Sequence, residues 1–231
     1  GGNGGALIAR NDRWDSASLK PYPDAQNFVE ETIRLASKKV TNVIVLKPIN
    51  AIPVIQLNPR LYDTVRERLH FAGQGVRAAF YSLSFILQRA IASKLDVDPR
   101  EIDVAEPQKE GNFGHIILAD EQINGSGFVV DFFEHFDQYI DGILNGGDPF
   151  FDRMLSDEHA KTCDSSCYQC LSNYSNMPYH GLLDWRLGIA LLRLLTDTNY
   201  KVGLDGNFNY PELKDWTDIA YGQLYDLKKC F

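Results

Sequence analysis

Three of the four cysteines in the 231-residue sequence fall within eight positions, as Cys163-Asp164-Ser165-Ser166-Cys167-Tyr168-Gln169-Cys170. The C-x3-C-x2-C spacing is that of metal ligands, because two thiolates two residues apart can grip one ion when the turn between them aims both sulfurs inward. A tetrahedral site needs a fourth ligand. His159 stands four residues before Cys163 and shares its face if residues 150–162 are helical. His180 stands ten residues after Cys170, just beyond Pro178, and Cys230 lies near the last residue. The residues themselves leave His159 and His180 as alternatives for the fourth place. A disulfide with a spare thiol is the competing reading, as is simple burial of small side chains. With no signal peptide and no even-numbered cysteine framework, the spacing points to zinc. Neither an H-E-x-x-H nor an H-x-E partner supplies a general base beside the cluster, so the metal is expected to staple the fold rather than to catalyse.

Other stretches suggest chemistry more weakly. Asp120 and Glu121, with His115 nearby in sequence, could form an acidic site for a divalent ion and so a metal-dependent enzyme acting on nucleic acid. No third carboxylate or lysine stands at a defined spacing, and capping of the turn Gly125-Ser126-Gly127 is the plainer expectation. Gly73-Gln74-Gly75 lacks the lysine of a phosphate loop and reads as a helix start. Arg60, Arg66, Arg68, Arg77 and Arg89 spread through two predicted helices, either as solvated faces or as contacts to nucleic acid.

The cluster and the segment C-terminal to it also carry a resemblance. C-D-S-S-C-Y-Q-C-L (163–171), succeeded by Y-x-N-x-x-x-H-G-L-L-D-W-R-L (174–187), resembles the zinc-binding domain found at the C-terminal end of MrfA-type DNA helicases and in the DrmB proteins of DISARM phage defence. The likeness extends over roughly residues 75–197, taking in L-D-V-D-P-R-E-I at 95–102 and the stretch from Asp120-Glu121 to Gly125-Ser126-Gly127-Phe128. Relatives often carry a further cysteine near the cluster, where Lys161 and Asn176 stand here. The resemblance implies a noncatalytic zinc-binding module that docks a helicase or helicase-like subunit and assists its engagement of DNA, in prokaryotic repair or antiphage defence.

Periodicity supplies the framework around these residues. Residues 76–95 form a long helix with apolar residues at helical spacing, and residues 180–195 form a second very apolar helix expected to pack on it. A helix over residues 128–144 presents a wide aromatic face. Its interleaved acids (Asp131, Glu134, Asp137 and Asp141) make core packing a better account of that face than base stacking. Phe113 to Asp120 is the strongest central strand, with shorter strands at 41–47, 52–57 and 102–105. Helices are also expected at 24–39, from Asn58-Pro59 to about His70, and from Tyr210 onward as an amphipathic face around Trp216, Leu224 and Leu227. The sum is a helix-rich α/β (α+β) domain with a small mixed sheet and a zinc-stapled loop at 159–180.

Composition sets the remaining bounds. At 44% hydrophobic content the chain can bury one sizeable core, read as a single domain over residues 6–231. Gly1-Gly2-Asn3-Gly4-Gly5 reads as a flexible linker or a tag remnant. No run approaches the roughly 18 apolar residues of a membrane span, and the free thiols suit a reducing cytoplasm. A net charge of −8 opposes indiscriminate attachment to nucleic acid. The charge is uneven: residues 1–115 carry 15 basic and 13 acidic side chains, and residues 116–231 carry 8 and 18. Any DNA contact is therefore expected in the first half, and the main partner is expected to be protein.

Overall fold

The longest described helix, α1 (Phe71–Leu95), is the element about which the other described elements pack. Its residues Phe80, Leu83, Ile86, Leu87 and Ile91 have no solvent exposure, and its neighbours cover it on more than one side. Asp96 ends it in the left-handed conformation (φ 54°), with the Val97 N–H donating back to the Ala92 carbonyl at 3.0 Å. Asp98 then caps a 3-10 turn, Pro99–Glu101, through the Arg100 N–H. The computed structural model describes residues 39–48, 55–63, 68–69, 71–111, 113–216 and 218, and the described elements belong to the unit Val40–Phe231. The expectations for residues 1–38, for 51–54, for Arg66 and for everything from residue 219, Cys230 included, lie outside them.

Four strands form a small antiparallel sheet against α1. The strands β1 (Val43–Leu46), β4 (Ile102–Val104) and β5 (Gln108–Glu110) all pair with the central β6 (Phe113–Asp120), so no pairing is parallel among the described residues and the sheet is not the mixed one expected. The register is Val104 opposite Leu118 but Gln108 opposite His115, four residues against three. One extra residue therefore sits between β4 and β5, where Pro107 has no N–H to pair. Residues 114, 116, 118 and 120 of β6 are buried and alternate with half-buried ones, so the even positions face α1. Gly114 permits this approach, since a Cβ there would lie 2.4 Å from the Phe80 ring.

Residues 59–63 and 68–69, the described part of the helix expected to run to about His70, are not helical. Asn58 captures the Arg60 N–H with its side chain at 2.9 Å, and the chain continues into a two-stranded ribbon, β2 (Tyr62–Asp63) with β3 (Arg68–Leu69). The helix expected over 128–144 is two, α2 (Phe128–Glu134) and α3 (Phe136–Leu144), parted by His135 at φ −115°, ψ 25°. The break turns Phe132, Tyr139, Ile140 and Ile143 inward but leaves Phe133 71% exposed.

The second half prepares the cysteine loop with short, individually capped pieces. These are α4 (Pro149–Met154) capped by Asp148, α5 (Asp157–Thr162) capped by Ser156, a 3-10 segment Tyr174–Leu182 entered through the reciprocal pair Asn173 and Asn176, and α6 (Trp185–Thr196) capped by Asp184. The expected apolar helix thus starts at Trp185 rather than at His180, because Pro178 lies inside the preceding 3-10 segment and Asp184 supplies the cap. Of all the element pairs, α1 and α6 pack together most extensively. Gly188 sits at the crossing, where a Cβ would lie 2.7 Å from Ile86 Cδ1 and 3.1 Å from the Leu83 nitrogen. Beyond α6, Leu213 is buried, and Trp216 stacks on Phe208 with 53% of its surface exposed. Among the described residues no helix is long and apolar enough to cross a membrane.

Candidate metal centre

The last turn of α5 and the loop after it bring four ligand atoms together. His159 and Cys163 lie one turn apart, the Cys163 N–H donating to the His159 carbonyl at 2.9 Å. Cys167 to Cys170 form a tight turn closed by two bonds, from the Cys170 N–H to the Cys167 carbonyl at 3.0 Å and from the Cys167 N–H to the Cys170 sulfur at 3.1 Å. The sulfurs of Cys163 and Cys170 are 3.8 Å apart, those of Cys167 and Cys170 are 3.7 Å apart, and His159 Nε2 is 3.5 Å from the Cys167 sulfur. All four atoms lie within 4.8 Å of one another.

These distances decide between the readings of the cluster. A disulfide would put two sulfurs about 2.05 Å apart, so the thiols are not bonded to one another. A tetrahedral zinc-sized ion, with bonds of about 2.3 Å to sulfur and about 2.0 Å to nitrogen, sets sulfurs roughly 3.8 Å apart and a sulfur–nitrogen pair roughly 3.5 Å apart. The group is therefore able to hold a metal ion, with three sulfurs and one imidazole nitrogen.

The surroundings prepare His159 for this role. Its Nδ1 donates to the Met154 carbonyl at 2.7 Å, which leaves the Nε2 lone pair turned toward the sulfurs. Burial, with the nearby Arg186 and Arg153 charges, depresses the His159 pKa, and the Met154 carbonyl offsets this only in part. Burial pushes the Cys163 and Cys170 thiols up. It opposes the Cys167 thiolate as well, but backbone hydrogen bonds from Gln169 and Cys170 and the neighbouring thiols outweigh it, and Cys167 falls below its ordinary value.

One residue that was not singled out by spacing holds the loop in place. The buried guanidinium of Arg186 donates to the carbonyls of Ala160 (2.9 Å), Cys163 (2.9 Å) and Asp164 (3.0 Å) and lies 4.5 Å over the Trp185 ring. Trp185 adds its indole N–H to the Cys163 carbonyl and its backbone N–H to the Ser165 carbonyl. The adjoining W-R pair just after a capping aspartate is the signal the sequence offered.

The remaining predicted site residues fall elsewhere. His180 is turned away from the sulfurs, its Nε2 lying 3.0 Å from the Asn173 carbonyl and 2.9 Å from Asn176 Oδ1. Asp120 is wholly buried and accepts from the backbone N–H groups of Ser126, Gly127 and Val129, so it caps α2 as the plainer reading expected. His115, five residues earlier on β6 and thus about 17 Å away, faces the opposite side of the sheet and meets Glu110 at 3.6 Å. Asp120, Glu121 and His115 are not brought together. Arg60 and Arg77 both reach Glu106, at 3.2 and 3.4 Å, while Arg89 lies 4.6 Å over the Phe150 ring. Arg68 belongs to β3.

Comparison with protein-family models, curated proteins and solved structures finds no match to this chain.

Proposed function

We propose that this chain is a noncatalytic zinc-binding accessory domain of a DNA helicase, or of a subunit that partners one, serving cytoplasmic DNA repair or antiphage defence of the DISARM kind. The observation that carries the zinc is the closed four-ligand group of His159, Cys163, Cys167 and Cys170. Three thiolates and an imidazole at tetrahedral spacing suit zinc, and four protein ligands leave no coordination position for substrate, so the ion is a staple. The helicase setting is supported by the resemblance of residues 163–187. The two parts of that motif work as a unit here, since Trp185 and Arg186, at the start of the helix that Asp184 caps, are the residues that clasp the cysteine loop. The enzymatic alternative needs Asp120, Glu121 and His115 on one ion, and the cap bonds to Asp120 already occupy both of its oxygens.

Zinc analysis of the purified chain, combined with unwinding assays on the helicase encoded with it, tests this reading. The expected outcome is one equivalent of zinc, no ATP hydrolysis or strand cleavage by the chain alone, and impaired unwinding when it is deleted from the assembly. Magnesium- or manganese-dependent cleavage by the isolated chain, abolished in Asp120→Ala, would overturn it.

A further inference from the structure

A cleft of ≈ 390 Å³ opens beside the cysteine loop, bounded by α1, the turn at 98–100, α4 and residues 168–175. Arg89 and Arg153 approach the Phe150 ring in its wall, their guanidinium carbons 4.6 and 5.7 Å from its centre. Among the described residues neither is paired with a carboxylate. The Arg153 guanidinium donates to the Gln169 carbonyl at 3.4 Å. Arg100, also in the wall, is bound to Asp98 at 2.8 Å. The opposite wall carries two projecting phenol rings, Tyr168 and Tyr174, with 74% and 84% of their surfaces exposed.

Unpaired guanidiniums seek phosphate or carboxylate oxygens, and an exposed ring face seeks another flat π-surface. One ligand that offers both at neighbouring positions is a nucleic-acid strand. In a duplex the base faces are already stacked on one another and only their edges reach the grooves, so the rings select an unpaired strand. The acidic surface elsewhere does not contradict this, because the charge near the cleft is locally positive, with three arginines against Asp98. We propose that this cleft binds a short segment of single-stranded nucleic acid, with phosphates on Arg89 and Arg153 and a base on each of Tyr168 and Tyr174. The proposal rests on the helicase-accessory reading above and names the strand form and the surface. It also gives the metal group a task, since Tyr168 lies between Cys167 and Cys170 and its place depends on their turn.

The test is fluorescence anisotropy of labelled oligothymidylate, oligouridylate and a duplex of equal length with the full, zinc-loaded chain, its metal content measured in the same samples. Binding of either single strand in preference to duplex is expected, and the stronger of the two identifies the natural strand. Tyr168→Ala and Tyr174→Ala should each weaken binding by about five- to hundred-fold with zinc retained. Arg89→Ala and Arg153→Ala should each lower the slope of log affinity against log salt by about 0.7. Absence of single-strand binding, duplex binding of equal strength, or tyrosine variants that bind unchanged would overturn the proposal. If these failures occur while zinc content and helicase stimulation persist, the accessory reading stands without the cleft. If the strand binds but no helicase responds to the domain, the cleft stands and that reading falls.

Discussion

Arg186 joins three backbone carbonyls that no secondary structure satisfies, at the point where α5 ends and the metal loop begins. Removing this buried charged donor leaves the Ala160 and Asp164 carbonyls without it and the Cys163 carbonyl with the Trp185 indole alone, at a cost of roughly 1.5–3 kcal/mol for the hydrogen bonds lost. Arg186→Ala should therefore lower the unfolding free energy by about 3 kcal/mol and weaken zinc retention, whereas Arg186→Lys, which cannot span the fork, should recover only part of either. Urea denaturation with a competing zinc chelator measures both, and an unchanged midpoint with unchanged retention would show that the clasp is not needed. At this scale the sequence was informative only about residues whose partners are near in the chain. The spacing of Cys163, Cys167 and Cys170 is local and legible. The choice between His159 and His180 was not, because it turns on an asparagine pair that engages His180 and on the Met154 carbonyl that orients His159. Of Arg186 only its place in the W-R pair after a capping aspartate was legible, its partners being carbonyls 22 to 26 residues away.

The crossing of α1 and α6 is the most extensive contact between the described elements, and Gly188 lets the two helices approach there. A methyl group there would meet Ile86 at 2.7 Å, Ser82 at 3.0 Å and the Leu83 backbone nitrogen at 3.1 Å, and the last of these cannot rotate aside. Gly188→Ala gains helix propensity yet should destabilise by about 1–3 kcal/mol through overpacking. A melting temperature equal to or above that of the parent would contradict this. Apolar periodicity revealed both helices and the β6 strand, since each buries a wide face. It failed at residues 59–63 and at His135, where an Asn58 side-chain bond and a single non-helical residue redirect the backbone without altering the hydrophobic pattern.

For the whole molecule, the metal group and the main core are expected to respond differently to loss of the ion. The core is built from α1, β6 and α6, with Ile86, Ile116 and Leu118 fully enclosed; Cys163 and Cys170 pack into the same core, but β6 is held by its strand neighbours and by α1. Zinc removal should therefore raise hydrogen exchange over residues 159–172 and at the first turn of α6 by at least ten-fold, while β6 amides remain protected. Equal loss of protection everywhere would mean that the staple and the core form one cooperative unit. No change anywhere would mean that the four side chains are held by packing alone.

The partnership of α1 with α6 has a consequence during synthesis. The ribosome releases α1 about 90 residues before Trp185 emerges, so one apolar face of a 25-residue helix is complete while its cover does not yet exist. Strand β6 arrives sooner and can cover the other face, leaving Ser82, Leu83 and Ile86 to wait. A nascent chain in that condition is a substrate for chaperones that hold exposed apolar helices. Ribosome-bound chains stopped before Trp185 should be cut by protease within α1, and those extended past Thr196 should resist; equal resistance of the two would show that the sheet alone shelters the helix.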